Sequence, residues 1–290
     1  ITTVIAPTPW TAASTLDIIG AERVTVCQGV PTQYRLMFDA PSFELTDTSH
    51  LRIAGIGAAR IPPELVREMR ERLGCPVVVR YASTEGCVIT GTRLDDADDV
   101  VCTTVGRPNG GVEVKVIDDE GRTVDTGEVG TVCVNTRAMM RGYWNEPERT
   151  AEAIDAEGWL HTGDLGWFGT DGNLRLSGRR TEMYIRGGYN VYPIEIENCL
   201  GEHPSVVAAA VLGTEVADRL GEIGVLFAVV RPGHELSLAE VRTFVKERLA
   251  DYKAPDALGV VSELPLTSLG KVDKKALVER AQQEAAQWSR

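Results

Sequence analysis

The chain has 290 residues, 43% hydrophobic and 25% charged, enough to bury a sizeable core and to divide into two domains. Its 30 basic and 42 acidic side chains leave a formal charge of −12, which argues against duplex nucleic acid as a partner because nothing offsets phosphate repulsion. No apolar run is long enough to be a transmembrane segment, and six scattered cysteines with four histidines carry no zinc spacing, so a reduced, cytoplasmic setting is expected.

Residues 1 to about 90 read as alternating helices and short buried strands. Strands are predicted at Val24-Thr25-Val26, Leu51-Arg52-Ile53-Ala54 and Val77-Val78-Val79. Between Pro62 and Gly74, Leu65, Met69 and Leu73 recur at helical spacing, and Gly74 supplies a C-cap. Strand, helix, strand in this order predicts an α/β layer. From about 100 to 180 the texture becomes β: Val112, Val114 and Val116 alternate with polar residues, Val129 to Val134 follows, and a turn at 170–173 leads into Leu174-Arg175-Leu176. After about 182 an α+β unit is predicted. Its strands fall at 206–212, 223–230 and 260–261, Ser237 with Glu240 forms a capping box, and Leu238, Val241, Val245 and Leu249 make a stripe. A charged helix closes the chain from Lys274 to Trp288. The glycine-rich, basic junction near 178–190 suits a hinge.

Several segments carry chemistry-bearing residues, each with an ordinary structural reading beside it. Tyr81-Ala82-Ser83-Thr84-Glu85 follows a buried strand, and open α/β sheets bind ligands at such strand ends. A tyrosine can stack on a base, a threonine can meet a phosphate and a glutamate can hold Mg²⁺; a capped strand-to-loop turn is equally open. Gly158-Trp159-Leu160-His161-Thr162-Gly163-Asp164 sets a carboxylate where it can accept ribose hydroxyls, or simply complete a turn. His161 is given no role, since a lone histidine beside tryptophan is usually packed structure. Ile185-Arg186-Gly187-Gly188-Tyr189-Asn190-Val191-Tyr192-Pro193 contains paired glycines that permit a positive φ, either for close approach to a ligand or for a plain hairpin. Leu264-Pro265-Leu266-Thr267-Ser268-Leu269-Gly270-Lys271 places one lysine on a glycine-hinged loop.

The order and spacing of these segments resemble the adenylate-forming superfamily of acyl-CoA synthetases, carrier-protein adenylation domains and beetle luciferases, and the resemblance covers essentially the whole chain. It extends to Gly57-Ala58-Ala59-Arg60-Ile61-Pro62, Gly106-Arg107-Pro108, Gly127-Glu128-Val129-Gly130 and Gly142-Tyr143-Trp144-Asn145. The resemblance implies an α/β plus α+β architecture. Residues 1–180 would be the C-terminal portion of a large AMP-binding domain, with a small β-barrel subdomain at about 100–180. Residues 182–290 would be a small mobile α+β domain, with a hinge near 181.

The same resemblance implies a role for each matching position. Tyr81 stacks near adenine, with Gly57, Ala58, Ala59, Ala82 and Ser83 lining the nucleotide. Thr84 meets the α-phosphate and Glu85 the Mg²⁺. Asp164 and Arg179 hold the ribose, and Leu176 packs near the base. Lys271 bridges the substrate carboxylate and the α-phosphate, with Thr84 and Glu85 completing the catalytic set. Gly187, Gly188 and Tyr189 line a CoA channel, and Thr181 is the hinge. Val30, Ile56 and Ala58, apolar among small glycines, form part of an acyl pocket. Without a charged group to meet an ammonium, that wall favours a fatty or aromatic acid over an amino acid. ATP, AMP, Mg²⁺ and CoA are the expected small molecules, and the expected reaction converts a hydrophobic carboxylic acid through acyl-AMP to acyl-CoA.

Three features depart from the family pattern. Nothing in residues 1–80 matches the Ser/Thr/Gly-rich phosphate loop with its lysine, so the chain is expected to be the C-terminal part of a longer protein. Thr181 stands at the hinge in place of aspartate or lysine, followed by Glu182 in place of aspartate. Ala82 replaces a glycine. Two alternatives stay open: a stand-alone adenylating enzyme that loads a carrier protein, and a non-catalytic nucleotide-binding or interaction module.

Overall fold

The computed structural model describes residues 1–57, 61, 63–217, 220–267 and 271–288. The chain divides into two compact units, residues 1–162 with 166–176, and residues 163–165 with 177–290. The division at 176–177 precedes the turn that carries Thr181.

The first unit begins α1 (Ala12–Ala21), β1 (Val26–Gly29), α2 (Pro31–Asp39), β2 (Ile53–Gly57), α3 (Pro63–Leu73), β3 (Val77–Ser83), β4 (Cys87–Gly91), α4 (Asp98–Thr103) and β5 (Arg107–Pro108). Its five strands lie in the order β1-β2-β3-β4-β5. The first three run parallel, β4 is antiparallel to β3, and β5 is antiparallel to β4. This is the α/β layer the sequence predicts, with two strands starting later than expected. Val24 does not begin β1, because its N–H still donates to Ile19 O at the end of α1. Leu51 likewise closes a turn onto Thr48 O, so β2 starts at Ile53.

Helix α3 shows why the pattern folds as it does. Leu65, Val66, Met69 and Leu73 are buried on one face, and Gly74 follows with φ +65°. Each such side chain contributes about 1.5–3 kcal/mol on burial. They join Leu16, Tyr34, Phe38, Ile56 and Val77 in one core, which fixes the height of β2 and β3 over the helices.

The β-rich stretch contains β6 (Val112–Ile117), β7 (Gly130–Thr136), α5 (Pro147–Ala153), β8 (Leu160–Phe168) and β9 (Leu174–Arg179). The strands form an open sheet in the order β6-β7-β8-β9. Among the described residues it is not a closed barrel, which corrects that part of the expectation. The physical reason is coverage: Val116, Val132, Val134 and Leu174 already bury their face against Tyr81 and Ile89, so closure is not needed to keep it dry.

The second unit contains β10 (Tyr184–Arg186), β11 (Tyr189–Val191), α6 (Pro193–Leu200), β12 (Val206–Glu215), β13 (Glu222–Val230), α7 (Leu238–Lys246), β14 (Ala257–Val261) and α8 (Val278–Trp288). β12 and β13 are antiparallel, and β14 is parallel to β13. One face of this sheet packs on α6 and α7 through Ile196, Leu200, Val241 and Val245. The other packs on α8 and the short turn before it through Phe227, Leu277, Ala281 and Ala285. The Ser237–Glu240 capping box forms as predicted: Glu240 N–H donates to Ser237 Oγ at 3.2 Å and Ser237 N–H to Glu240 Oε2 at 2.8 Å. No helix among the described residues is long and apolar enough to cross a membrane.

Candidate active site

In the first unit the candidate residues gather where β2 and β3 end. Gly57, the last residue of β2, is paired with Arg80 of β3, and a Cβ at Gly57 would collide with the Arg80 carbonyl. Only glycine lets the two backbones approach so closely. Tyr81, Ala82 and Ser83 are still within β3, so the predicted strand-end loop is in fact the last part of a strand and a tight turn. Thr84, Glu85 and Gly86 form that turn, with Cys87 at φ +58° and Gly86 N–H donating to Ser83 Oγ at 2.8 Å. A left-handed residue after a three-residue loop is a standard hairpin closure. The register shifts between Tyr81 and Ala82, and such a bulge re-aims the side chains next to it.

The hairpin tip is held from outside. Met140 N–H donates to Glu85 O at 2.7 Å, and Tyr143 Oη donates to Glu85 Oε1 at 3.0 Å. Tyr143 is itself fixed by its own N–H to Thr150 Oγ1 at 2.9 Å and by the Arg149 guanidinium 4.4 Å from its ring centre. Its phenol is shifted upward by desolvation first and then by the bond to Glu85, so it stays a donor. Thr84 is exposed at the tip. Tyr81 is only 7% exposed and shares a core cluster with Leu176, so these two candidates are brought together.

The acyl-pocket candidates are not equivalent. Ile56 is fully buried in the α/β core, where it packs among helix side chains. Val30 is half-buried at the start of α2, its N–H donating to Gln33 Oε1 at 3.0 Å. Ala58 and Ala59 lie outside the described residues.

The second unit carries the remaining candidates. Asp164 is buried, and Arg179 Nε donates to its Oδ1 at 3.1 Å while the rest of Arg179 stays exposed. The pair offers a carboxylate and a guanidinium edge side by side, a donor–acceptor set suited to a diol. Thr181 is exposed in the turn that follows β9, a turn closed by Glu182 N–H and Met183 N–H donating to Arg179 O.

Gly187 and Gly188 form the two-residue turn of the β10–β11 hairpin, with φ +57° and +87°. Both values are left-handed, as a primed hairpin turn demands. These glycines thus close a hairpin turn. Tyr184 packs against both Gly213 and Gly224, a directly paired couple on β12 and β13. Arg186 grips buried Asp256 through two bonds of 2.8 and 2.6 Å, and Gly187 N–H donates to Leu220 O at 2.8 Å. Tyr189 is exposed and stacks on Tyr252 with ring centres 4.6 Å apart.

Lys271 is exposed. Its loop is closed at the base by a bridge between Leu266 and Val272 and by Thr267 N–H donating to Lys271 O at 2.7 Å. His161, given no role from sequence, sits 3.1 Å from Asp155 in the first unit, as a structural contact would.

Sequence reasoning gave no role to Tyr143, to the Arg186–Asp256 pair or to Lys274. Tyr143 lies inside the Gly142–Asn145 motif, which is a usable signal. Nothing in sequence separates Lys274 from Lys275, yet Lys274 bonds Glu182 at 2.6 Å and lies 2.9 Å from Glu197.

Two family models match the chain: AMP-binding enzyme over residues 1–144, and the AMP-binding enzyme C-terminal domain over residues 195–271. The fold and these matches define a member of the AMP-binding, adenylate-forming enzyme family, and the chain belongs to it. Among its relatives is the 3-[(3aS,4S,7aS)-7a-methyl-1,5-dioxo-octahydro-1H-inden-4-yl]propanoyl:CoA ligase of Rhodococcus jostii, 40% identical over 259 residues, covering 89% of this chain and 48% of that protein. The indoleacetate–CoA ligase of Aromatoleum aromaticum is 36% identical over 272 residues, covering 94% and 53%. The solved amide bond synthetase McbA of Marinactinospora thermotolerans superposes with a TM-score of 0.86 at 36% identity, covering 93% and 55%. The chain spans about half the length of the curated relatives it matches.

Proposed function

We propose that the chain serves a ligase that activates a hydrophobic carboxylic acid with ATP and passes the acyl group to the thiol of CoA. The observation that carries this reading is the hairpin tip at Thr84–Glu85, set beside the closely packed Gly57 and Tyr81 and pinned by Tyr143. The CoA-ligase relatives support the acceptor, and their ring-bearing acids support a hydrophobic substrate.

In the first step a carboxylate oxygen attacks the α-phosphorus of ATP and pyrophosphate leaves. Two anions must meet, so positive charge has to be supplied where charge develops. Lys271, a compact ammonium on a closed loop, is assigned to bridge the carboxylate and the α-phosphate. Thr84 Oγ1 donates to a phosphate oxygen, and Asp164 with Arg179 holds the ribose. In the second step the CoA sulfur attacks the acyl carbon, AMP leaves, and the thiol proton passes to solvent. The Gly187-Gly188 turn and Tyr189 are assigned to the channel for that thiol, Leu176 and Tyr81 to the base, and Val30 and Ile56 to the acyl wall. Thr181 is the assigned hinge.

Glu85 fits Mg²⁺. One of its oxygens is occupied by Tyr143, which leaves the other for a cation. A single protein carboxylate with phosphate and water ligands is the usual setting for this ion. Mg²⁺ would offset phosphate charge there. Six cysteines without disulfides support a cytoplasmic location.

The likeness to an amide bond synthetase favours a second reading, in which an amine replaces the thiol as acceptor. The deciding experiment incubates the complete protein with ATP and a panel of aryl and fatty acids, adding CoA or an amine in separate arms. AMP release that needs both acid and CoA supports the first reading. Release that needs an amine supports the second, and no acid-dependent AMP or acyl-hydroxamate in any arm removes both.

A further inference from the structure

Lys274 is an unusual lysine. Its side chain is 21% exposed, and its ammonium is bonded at 2.6 Å to Glu182 and lies 2.9 Å from Glu197. Burial works against the charged form, but the two carboxylates outweigh it and hold the ammonium above the ordinary lysine range. Glu197 is not free to follow Lys274, because its Oε1 also accepts the buried N–H of Val211 in β12 at 2.8 Å. Glu182 belongs to the turn after β9, six residues past the division between the compact units. Lys274 therefore ties three elements together: that turn, helix α6 and the sheet.

It also sits three residues after Lys271. Asp273 N–H donates to Pro265 O at 2.8 Å, Leu266 bridges Val272, and Asp273 Oδ1 accepts the N–H of Lys275 at 3.1 Å. The base of the Lys271 loop is thus short, closed and continuous with the anchored Lys274. Exposed lysines nearby, such as Lys275, have no comparable ion pair among the described residues.

We propose that Lys274 is a positioning residue for Lys271, fixing the loop's base against the Glu182 turn and Glu197 so that the Lys271 ammonium is presented from a set place. This rests on the adenylation reading above for its catalytic consequence, though the anchoring itself does not. A charge held by two carboxylates is a more selective anchor than an apolar contact, because removing the Lys274 ammonium takes one cation away from both Glu182 and Glu197.

The test is amide hydrogen exchange on this chain, wild type against Lys274→Met and Lys274→Arg. The expected result is exchange at least about tenfold faster for the Thr267 and Lys271 amides in Lys274→Met, near-normal exchange in Lys274→Arg, and unchanged protection of β12 and β13. Unchanged loop exchange in a folded Lys274→Met overturns the proposal. Should that variant not fold, Glu182→Gln, which alters a more exposed partner, carries the same readout with the same two outcomes. In the complete protein, Lys274→Met is expected to slow acyl-adenylate formation about 100-fold with the KM for ATP little changed, since a small misplacement of a reacting group has that scale of cost. Loop loosening with a normal adenylation rate overturns the catalytic part. A wild-type protein that makes no adenylate counts against the proposed function alone, because the exchange result stands without it.

Discussion

Tyr143 Oη lies 3.0 Å from Glu85 Oε1, joining two residues 58 positions apart in sequence. The bond orients the carboxylate at the hairpin tip, and on the proposed Mg²⁺ role of Glu85 it leaves the other oxygen to the cation. Metal-bound carboxylates depend on such outer partners for orientation, and losing one typically weakens metal affinity 10- to 100-fold. Tyr143→Phe is therefore expected to raise the Mg²⁺ concentration for half-maximal activity by about 10- to 100-fold. Mn²⁺ titration followed by paramagnetic relaxation should show the same loss independently of turnover. An unchanged titration would mean the phenol only packs.

The Tyr184 ring packs against Gly213 and Gly224, which face each other across β12 and β13. Alanine at either glycine puts a methyl group into the ring, and overpacking of this kind costs about 1–3 kcal/mol. Gly213→Ala and Gly224→Ala are expected to lower stability by that amount in urea unfolding. Because Tyr184 begins the hairpin that carries Gly187 and Gly188, the thioester step should fall more than adenylation. Variants as stable as wild type would contradict the packing argument.

His203 gives a pH dependence. Desolvation lowers its pKa below 6.5, with Arg248 adding and Glu240 opposing. Its ring packs edge-on to Phe244, and Nδ1 accepts the Ser205 N–H at 3.2 Å, a bond only the neutral ring can make. A base whose folded pKa is depressed costs nothing above its unfolded value and destabilises as pH falls from the unfolded value towards the folded one. The second unit should thus lose stability on acidification below about pH 6.5, and His203→Gln should flatten that slope. Thermal unfolding from pH 7.5 to 5 checks it; an identical slope in the variant would assign the pH effect elsewhere.

Much of this architecture was legible because local rules and tertiary structure agree. Leu65, Met69 and Leu73 mark α3, and the Ser237–Glu240 capping box marks the start of α7. The paired glycines at 187–188 call for a left-handed turn and receive one. Where long-range packing decides, the sequence was silent or misleading. That Ile56 is buried among side chains of α1, α2 and α3 depends on packing that its local sequence does not encode. The β6–β9 sheet reads as a barrel until Tyr81 and Ile89 are seen to cover its face. Tyr143 and Lys274 act through partners 58 and 92 residues away, a distance that no local pattern encodes.

The central claim, that this chain supplies the adenylating lysine of a carboxylate-activating ligase, is tested most directly by Lys271→Ala in the complete protein, with the two half-reactions measured separately. Removing one charge-stabilising donor typically costs about 10²- to 10³-fold. A loss of that size is expected in acyl-adenylate formation, with near-normal thioester formation from preformed acyl adenylate and CoA. Equal loss in both half-reactions, or none in the first, would contradict it.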